Sequence, residues 1–241
     1  MLGQILQFVL DPRNKFGQEL LTTVELSVIP VALAVLIGIP LGFAVARQPV
    51  AAFFATNLSG LARAIPTLAF LAIEIPLLGQ IGFVPSVIAL VLLGIPPILL
   101  NTIAGIRSLD PATLDAARGM GMTRRQVLTW IQVPLVLPVI MAGVRSAAVQ
   151  IVATSTLAAL VGGGGLGDYV IGGIALGAAG TVELAVGAIS IAALALLVEV
   201  SLAYVQRLVT PAGLRAGEQD AAPRPRDAAP EIAARREGVA A

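Results

Sequence analysis

The side chains able to do chemistry in this 241-residue chain are few, and most of them stand together. Between Leu114 and Pro134 the sequence reads LDAARGMGMTRRQVLTWIQVP, with an aspartate, three arginines and the only tryptophan of the chain. Elsewhere, single ionisable residues interrupt apolar runs at Glu74, Arg145 and Glu199. Cysteine and histidine are absent, which removes disulfides, thiol nucleophiles, Cys/His metal sites and a histidine general base. The glycines Gly162–Gly165 and Gly167 invite a phosphate-loop reading, but no Gly-Lys-Ser/Thr follows and no strand precedes them. The expectation is a chain without catalytic residues, cofactor or metal, whose chemistry is carried out by another subunit.

The elements that position these residues follow from composition. Hydrophobic residues make up 57% of the chain and charged ones 12%, about half the share of a soluble domain. That leaves too little polar surface to coat a soluble globule, so the solvent is a bilayer. A net charge of +1 points to no nucleic-acid partner. Leu26 to Ala46 is free of charge and fits the roughly 20 residues that cross a hydrocarbon core. Ile75 to Ile106 is too long for one span and divides at GQIGFVPS, Gly79–Ser86. The segment before it starts somewhere in Val50–Arg63, ends at Leu78, and is expected to bend at Pro66 and Pro76. Val133 to about Thr156 and about Leu184 to Val205 complete the set. The prolines inside the spans are tolerated because neighbouring helices re-satisfy the freed carbonyls. The predicted fold class is all-α and polytopic, with five to six transmembrane helices. Residues 1–23 are expected to be a short external segment without a signal-peptide pattern, 24–210 the membrane domain, and 211–241 a disordered tail.

Five spans place the termini on opposite faces. Arg47, Arg107, Arg118, Arg124, Arg125, Arg207 and five tail arginines fall on one face, and only Arg13 and Lys15 on the other. The positive-inside rule predicts an external N-terminus and a cytoplasmic C-terminus. The charged island is then a cytoplasmic loop, 109–132, between the third and fourth spans. Asp110-Pro111 predicts a helix start, with a carboxylate cap followed by proline at the first helical position. That helix is expected to reach Arg118 and stop at Gly119-Met120-Gly121. Thr123-Arg124-Arg125-Gln126 has capping-box spacing and starts a second helix, which carries Val127, Leu128, Ile131 and Val133 to the membrane.

These residues resemble a signature of the membrane subunits of bacterial ATP-binding-cassette (ABC) importers: Glu-Ala-Ala, three residues, Gly, nine residues, Ile-x-Leu-Pro. Here the chain reads Asp115-Ala116-Ala117, three residues, Gly121, nine residues, Ile131-Gln132-Val133-Pro134. Asp replaces Glu and Val replaces Leu. The resemblance implies a type I ABC importer permease fold and a coupling helix seated in a cleft of the ATPase. In that reading Ala116 and Ala117 permit close approach and Gly121 supplies the bend, with Asp110, Asp115, Arg118, Gly119, Arg124, Arg125, Ile131 and Pro134 completing the coupling loop. Over about Leu26–Gly173 the chain is similar to osmoprotectant-type permeases, above all at AARGMGM (Ala116–Met122) and LVGGGGLGD (Leu160–Asp168). Implied partners are an ABC ATPase that binds the ATP, a periplasmic or lipid-anchored solute-binding protein, a second permease copy or paralogue, and membrane lipids. Implied cargo is glycine betaine, choline, carnitine or a proline-like solute. An importer for another small solute such as methionine is the alternative, with a secondary transporter further off because no internal repeat is visible.

Ionisable residues inside a membrane are suspects for function. Arg145 and Glu199, at similar depth on consecutive spans, are expected to form a chiefly structural ion pair. Phe70 and Glu74, four apart on one helix face, are candidates for the solute path with Asn101 and Thr154. The competing expectations are that Glu74 reaches the headgroup layer and that the polar residues bond helices together. The glycine stretch is either an outer turn that helps close a gate or a loose connector.

Overall fold

The computed structural model describes residues 2–210; the tail 211–241 and the side chains of Leu2, Ala64 and Glu74 lie outside the described residues. Its elements are helical throughout. Helix α1 (Leu2–Leu10) leads through a short 3₁₀ turn capped by Asp11 into α2 (Phe16–Ala46). Helix α2 begins ten residues before Leu26, so part of the segment expected as an external lead-in is helix. Helices α3 (Pro49–Ala64) and α4 (Thr67–Leu78) are bent by 90° about Ile65-Pro66, where the residue before proline is driven into extended geometry. Gly79, left-handed at φ 65°, ends α4, and α5 (Phe83–Arg107) follows. The charged island forms α6 (Pro111–Gly119), the single turn α7 (Arg124–Gln126) and a π-helical turn, Val127–Gln132. Helix α8 (Val133–Thr154), a 3₁₀ segment to Val161, α9 (Gly167–Ala175) and α10 (Thr181–Val209) complete the chain.

Among the described residues, four helical stretches are long and apolar enough to cross a membrane, and the bent α3–α4 pair makes a fifth crossing if it is one span. The centre is α5, packed between α2 and α8 around Ala34, Ile98, Val136 and Ile140, all essentially buried. Small residues let these backbones approach closely, as in membrane helix pairs generally. Gly38 and Gly42 on α2 form such a pair, and a Cβ at Gly42 would come 2.5 Å from Thr102 Cγ2 of α5. Pro96 and Pro97 are buried within α5. In contrast, the outward sides of α2, α3 and α10 carry exposed Leu36, Phe54, Leu197 and Leu208, a surface suited to lipid tails.

Candidate functional site

The charged loop between α5 and α8, the candidate coupling loop, is built as a capped elbow. Asp110 accepts a hydrogen bond from the Ala112 amide at 2.9 Å, and Pro111 occupies the first turn, which fixes the start of α6. Asp115 and Arg118 pair at 2.9 Å on the exposed face, a contact of small energetic worth. Ala116 is exposed, whereas Ala117 is buried against the chain itself, so only Ala116 presents its methyl outward. Gly119 is the last residue of α6 and Gly121 turns left-handed at φ 82°, so the bend is made by one glycine rather than by a pair. Thr123 and Gln126 exchange both bonds of a capping box. Arg124 and Arg125 are exposed beside it, while Ile131 and Pro134 are half-buried where the chain enters α8.

Two features here were not legible in the sequence. The second helix of the loop is a π-turn, a geometry that occurs mostly as single turns, frequently at functional sites. Its last residue, Gln132, is buried, and its Oε1 accepts from Arg47 Nη2 at 2.6 Å. Arg107 Nε donates to the Ala46 carbonyl at 3.2 Å. The C-terminal end of α2 is therefore tied both to the charged loop and to the end of α5. Arginines that the sequence assigns to topology also carry structure. The partners are 85 and 61 residues apart, so no spacing could reveal them.

At the opposite end, the glycine stretch is pinned rather than loose. Gly162, Gly164 and Gly165 are left-handed. The Gly165 amide donates to Glu19 Oε2 at 2.8 Å and the Leu166 amide to Thr23 Oγ1 at 2.7 Å, both acceptors on α2. Gly82 donates to the Val161 carbonyl at 2.7 Å. On α9, the Tyr169 hydroxyl donates to the Asn14 carbonyl, and its ring meets Phe8 edge-on and stacks on Phe16. Burial first, then Glu19, Glu183 and Asp168, push the Tyr169 phenol up to about 12. Burial, then the Glu19 charge, raise the Asp168 carboxyl.

Within the membrane domain, Arg145 Nε lies 3.1 Å from Glu199 Oε1, and Arg145 Nη1 lies 3.4 Å from Gln206 Oε1. Gln206 in turn donates to the Pro138 carbonyl at 3.0 Å. Of the solute-path candidates, Phe70, Asn101 and Thr154 lie on three different helices and do not converge. Phe70 borders an apolar groove between α3, α4 and α5. Asn101 donates to the Pro97 carbonyl at 2.8 Å beside Gly143, at the crossing of α5 and α8. Thr154 is the last residue of α8. The Glu74 side chain lies outside the described residues.

The described residues thus form a helical bundle suited to a membrane, with a charged, glycine-bent loop between α5 and α8. Residues 34–211 match the family of binding-protein-dependent transport system inner membrane components. The chain is 36% identical over 214 residues to the choline transport system permease protein OpuBB of Bacillus subtilis (strain 168), covering 89% of this chain and 97% of the relative. It is 37% identical over 217 residues to the glycine betaine/carnitine/choline transport system permease protein OpuCB of the same organism, covering 89% and 97%. Its fold matches an inward-facing structure of the MetNI methionine ABC transporter with a TM-score of 0.72 at 22% identity, over 83% of this chain and 99% of that one. The chain belongs to the binding-protein-dependent inner membrane component family, and its function is transport across a membrane that it crosses several times.

Proposed function

We propose that the chain is the permease subunit of an ABC importer for compatible solutes of the glycine betaine, choline and carnitine class. The names of its relatives support the solute class, and the observation that carries the mechanism is the elbow at Gly121, tethered to α2 through Gln132 and Arg47. In this reading ATP closes two ATPase subunits outside the membrane, each holding the exposed face of α6. Exposed Met120 and Trp130 flank that face and add apolar contact area. A pull on α6 is passed through the capped turn and the π-segment to α8, and through Arg47 to α2. Two permease chains, identical or paralogous, enclose the path, and an external binding protein delivers the solute. The arginine distribution supports a cytoplasmic coupling loop and C-terminus with an external N-terminus.

The test is to co-purify the chain with an ABC ATPase and a solute-binding protein from the same organism and to measure ATP-driven uptake of glycine betaine and choline into liposomes. Uptake that requires all three components is the expected result. A binding protein that takes methionine instead of these solutes would overturn the solute class, and a chain that assembles with no ATPase would overturn the coupling role.

A further inference from the structure

Two grooves flank the crossing of α8 and α10, and their chemistry differs. The one toward α2 is lined by Val31, Ala148, Val152, Leu197, Val198 and Leu202 among others, and suits lipid tails. The other, about 400 Å³ in volume, is mixed: Arg145, Ser146 and Gln150 stand among Ala142, Val149 and Ala153 on α8, facing Glu199 on α10. Arg145 lies about 18 Å from the start of α8 and Glu199 about 15 Å from the end of α10, at 1.5 Å of rise per residue. Both are thus near mid-membrane, yet their side chains are 37% and 38% exposed. An ion pair at that depth cannot face hydrocarbon without a large desolvation cost. It faces water.

The pair is also incompletely used. Arg145 spends Nε on Glu199 and Nη1 on a long contact to Gln206, which leaves Nη2 without a partner among the described residues. Among the described residues, Glu199 receives its bond on Oε1 only. A guanidinium edge and a carboxylate oxygen, side by side in a groove of small-molecule size, match the two ends of a small zwitterion. An arginine fork is suited to a carboxylate.

We infer, building on the permease reading above, that this groove is a wayside contact site for a small zwitterionic solute, with Arg145 receiving the carboxylate and Glu199 facing the cationic head. The internal ion pair holds the two charges in register when the groove is empty, and solute entry exchanges it for two contacts to the solute. The role extends the pair beyond structure.

This chain contains no cysteine, so any thiol labelled on it is the introduced one. In the assembled importer, single Ser146→Cys and Gln150→Cys substitutions are labelled with a hydrophilic methanethiosulfonate reagent, and Leu197→Cys on the apolar groove serves as the control. Labelling of Ser146→Cys and Gln150→Cys is expected at least tenfold faster than at Leu197→Cys, and glycine betaine is expected to slow it. Adding Arg145→Gln should lower protection by glycine betaine at least tenfold while sparing protection by choline, which has no carboxylate. Adding Glu199→Gln should lower protection by choline at least tenfold. Groove cysteines that do not label would overturn the inference, as would labelling that glycine betaine does not slow. Equal losses for both solutes in both variants would mark the pair as structural only. Wild-type uptake measured in parallel keeps these outcomes separate from a failure of the permease reading itself, because a complex that imports neither solute indicts that reading instead.

Discussion

Gly121 offers the sharpest test of the coupling elbow, because its substitution changes one term at a time. Its φ of 82° lies in the left-handed region, and a Cβ placed there would meet nothing within 4 Å. Gly121→Ala therefore adds no clash and carries only the left-handed penalty of about 1–2 kcal/mol for a residue with a Cβ. If the ATPase binds the bent elbow, that penalty lowers the bent fraction, and the apparent Kd rises in proportion. At about 1.4 kcal/mol per tenfold, the expected weakening is roughly 5- to 30-fold. Gly121→Asn, a residue that tolerates left-handed geometry, should recover most of the affinity. Gly119→Ala is the internal control. Its Cβ also meets open space, but Gly119 is helical, so alanine there stabilises α6 by about 0.5–1 kcal/mol. The assay is titration of the ATPase subunit onto the chain in nanodiscs, with thermal melting of the chain alone as a check on folding. Wild-type affinity in Gly121→Ala would refute the elbow as a docking geometry. Weakened binding in Gly119→Ala, with an unchanged melt, would place that methyl against the partner.

Gln132→Ala removes the acceptor of the Arg47 bond and leaves that guanidinium with one fewer partner; ATPase affinity should persist while uptake per ATP falls several-fold, measured in liposomes. Gly42→Ala drives a Cβ into Thr102, and such overpacking costs about 1–3 kcal/mol, read as a lower melting temperature in detergent with the coupling loop untouched. The raised Asp168 carboxyl favours the folded state when protonated, and that contribution is lost as pH rises through the carboxylate range. Asp168→Asn should therefore raise the melting temperature at pH 7–8 and leave it unchanged near pH 3. The Tyr169 phenol holds its proton more tightly folded than unfolded, so its contribution is intact below pH 10 and declines as pH rises toward about 12. Tyr169→Phe should remove that alkaline limb from a melt-versus-pH series.

Much of this architecture is local and was therefore open to sequence reasoning. Asp110-Pro111, Gly121 and the Thr123–Gln126 box act within four residues of themselves, and the structure builds each from the bonds their types require. Charge-free runs located the long helices because burial in lipid constrains composition directly. The α2 start at Phe16 escaped this logic, since Glu19 and Glu25 interrupt the apolar run and yet the helix continues through them. What could not be read is long-range. Asn101, a candidate for the path, bonds its own helix at an interhelical crossing, and nothing in its sequence neighbourhood distinguishes the two fates. The reverse holds for Arg145 and Glu199: apolar surroundings make a charge conspicuous, so two rare residues at similar depth identify each other across 54 positions.

Helix α2 draws the two ends of the molecule into one mechanical unit. Its 31 residues span about 46 Å at 1.5 Å per residue, more than the hydrocarbon core. At its N-terminal end, Glu19 and Thr23 hold the backbone amides of Gly165 and Leu166. At its C-terminal end, Ala46 and Arg47 hold Arg107 and Gln132. A displacement of the π-segment that preserves the Arg47–Gln132 bond must move the C-terminal end of α2. A stiff rod passes that motion to the other end, except where Pro30 and Pro40 let it bend, since each removes a backbone bond from the helix. The glycines of the loop before α9 are what let it reach α2. A Cβ at Gly165 would come 2.7 Å from Thr23 Oγ1 and one at Gly163 2.5 Å from Ser86 Oγ, so side chains there would push the loop off α5 and off the helix that its amides bond.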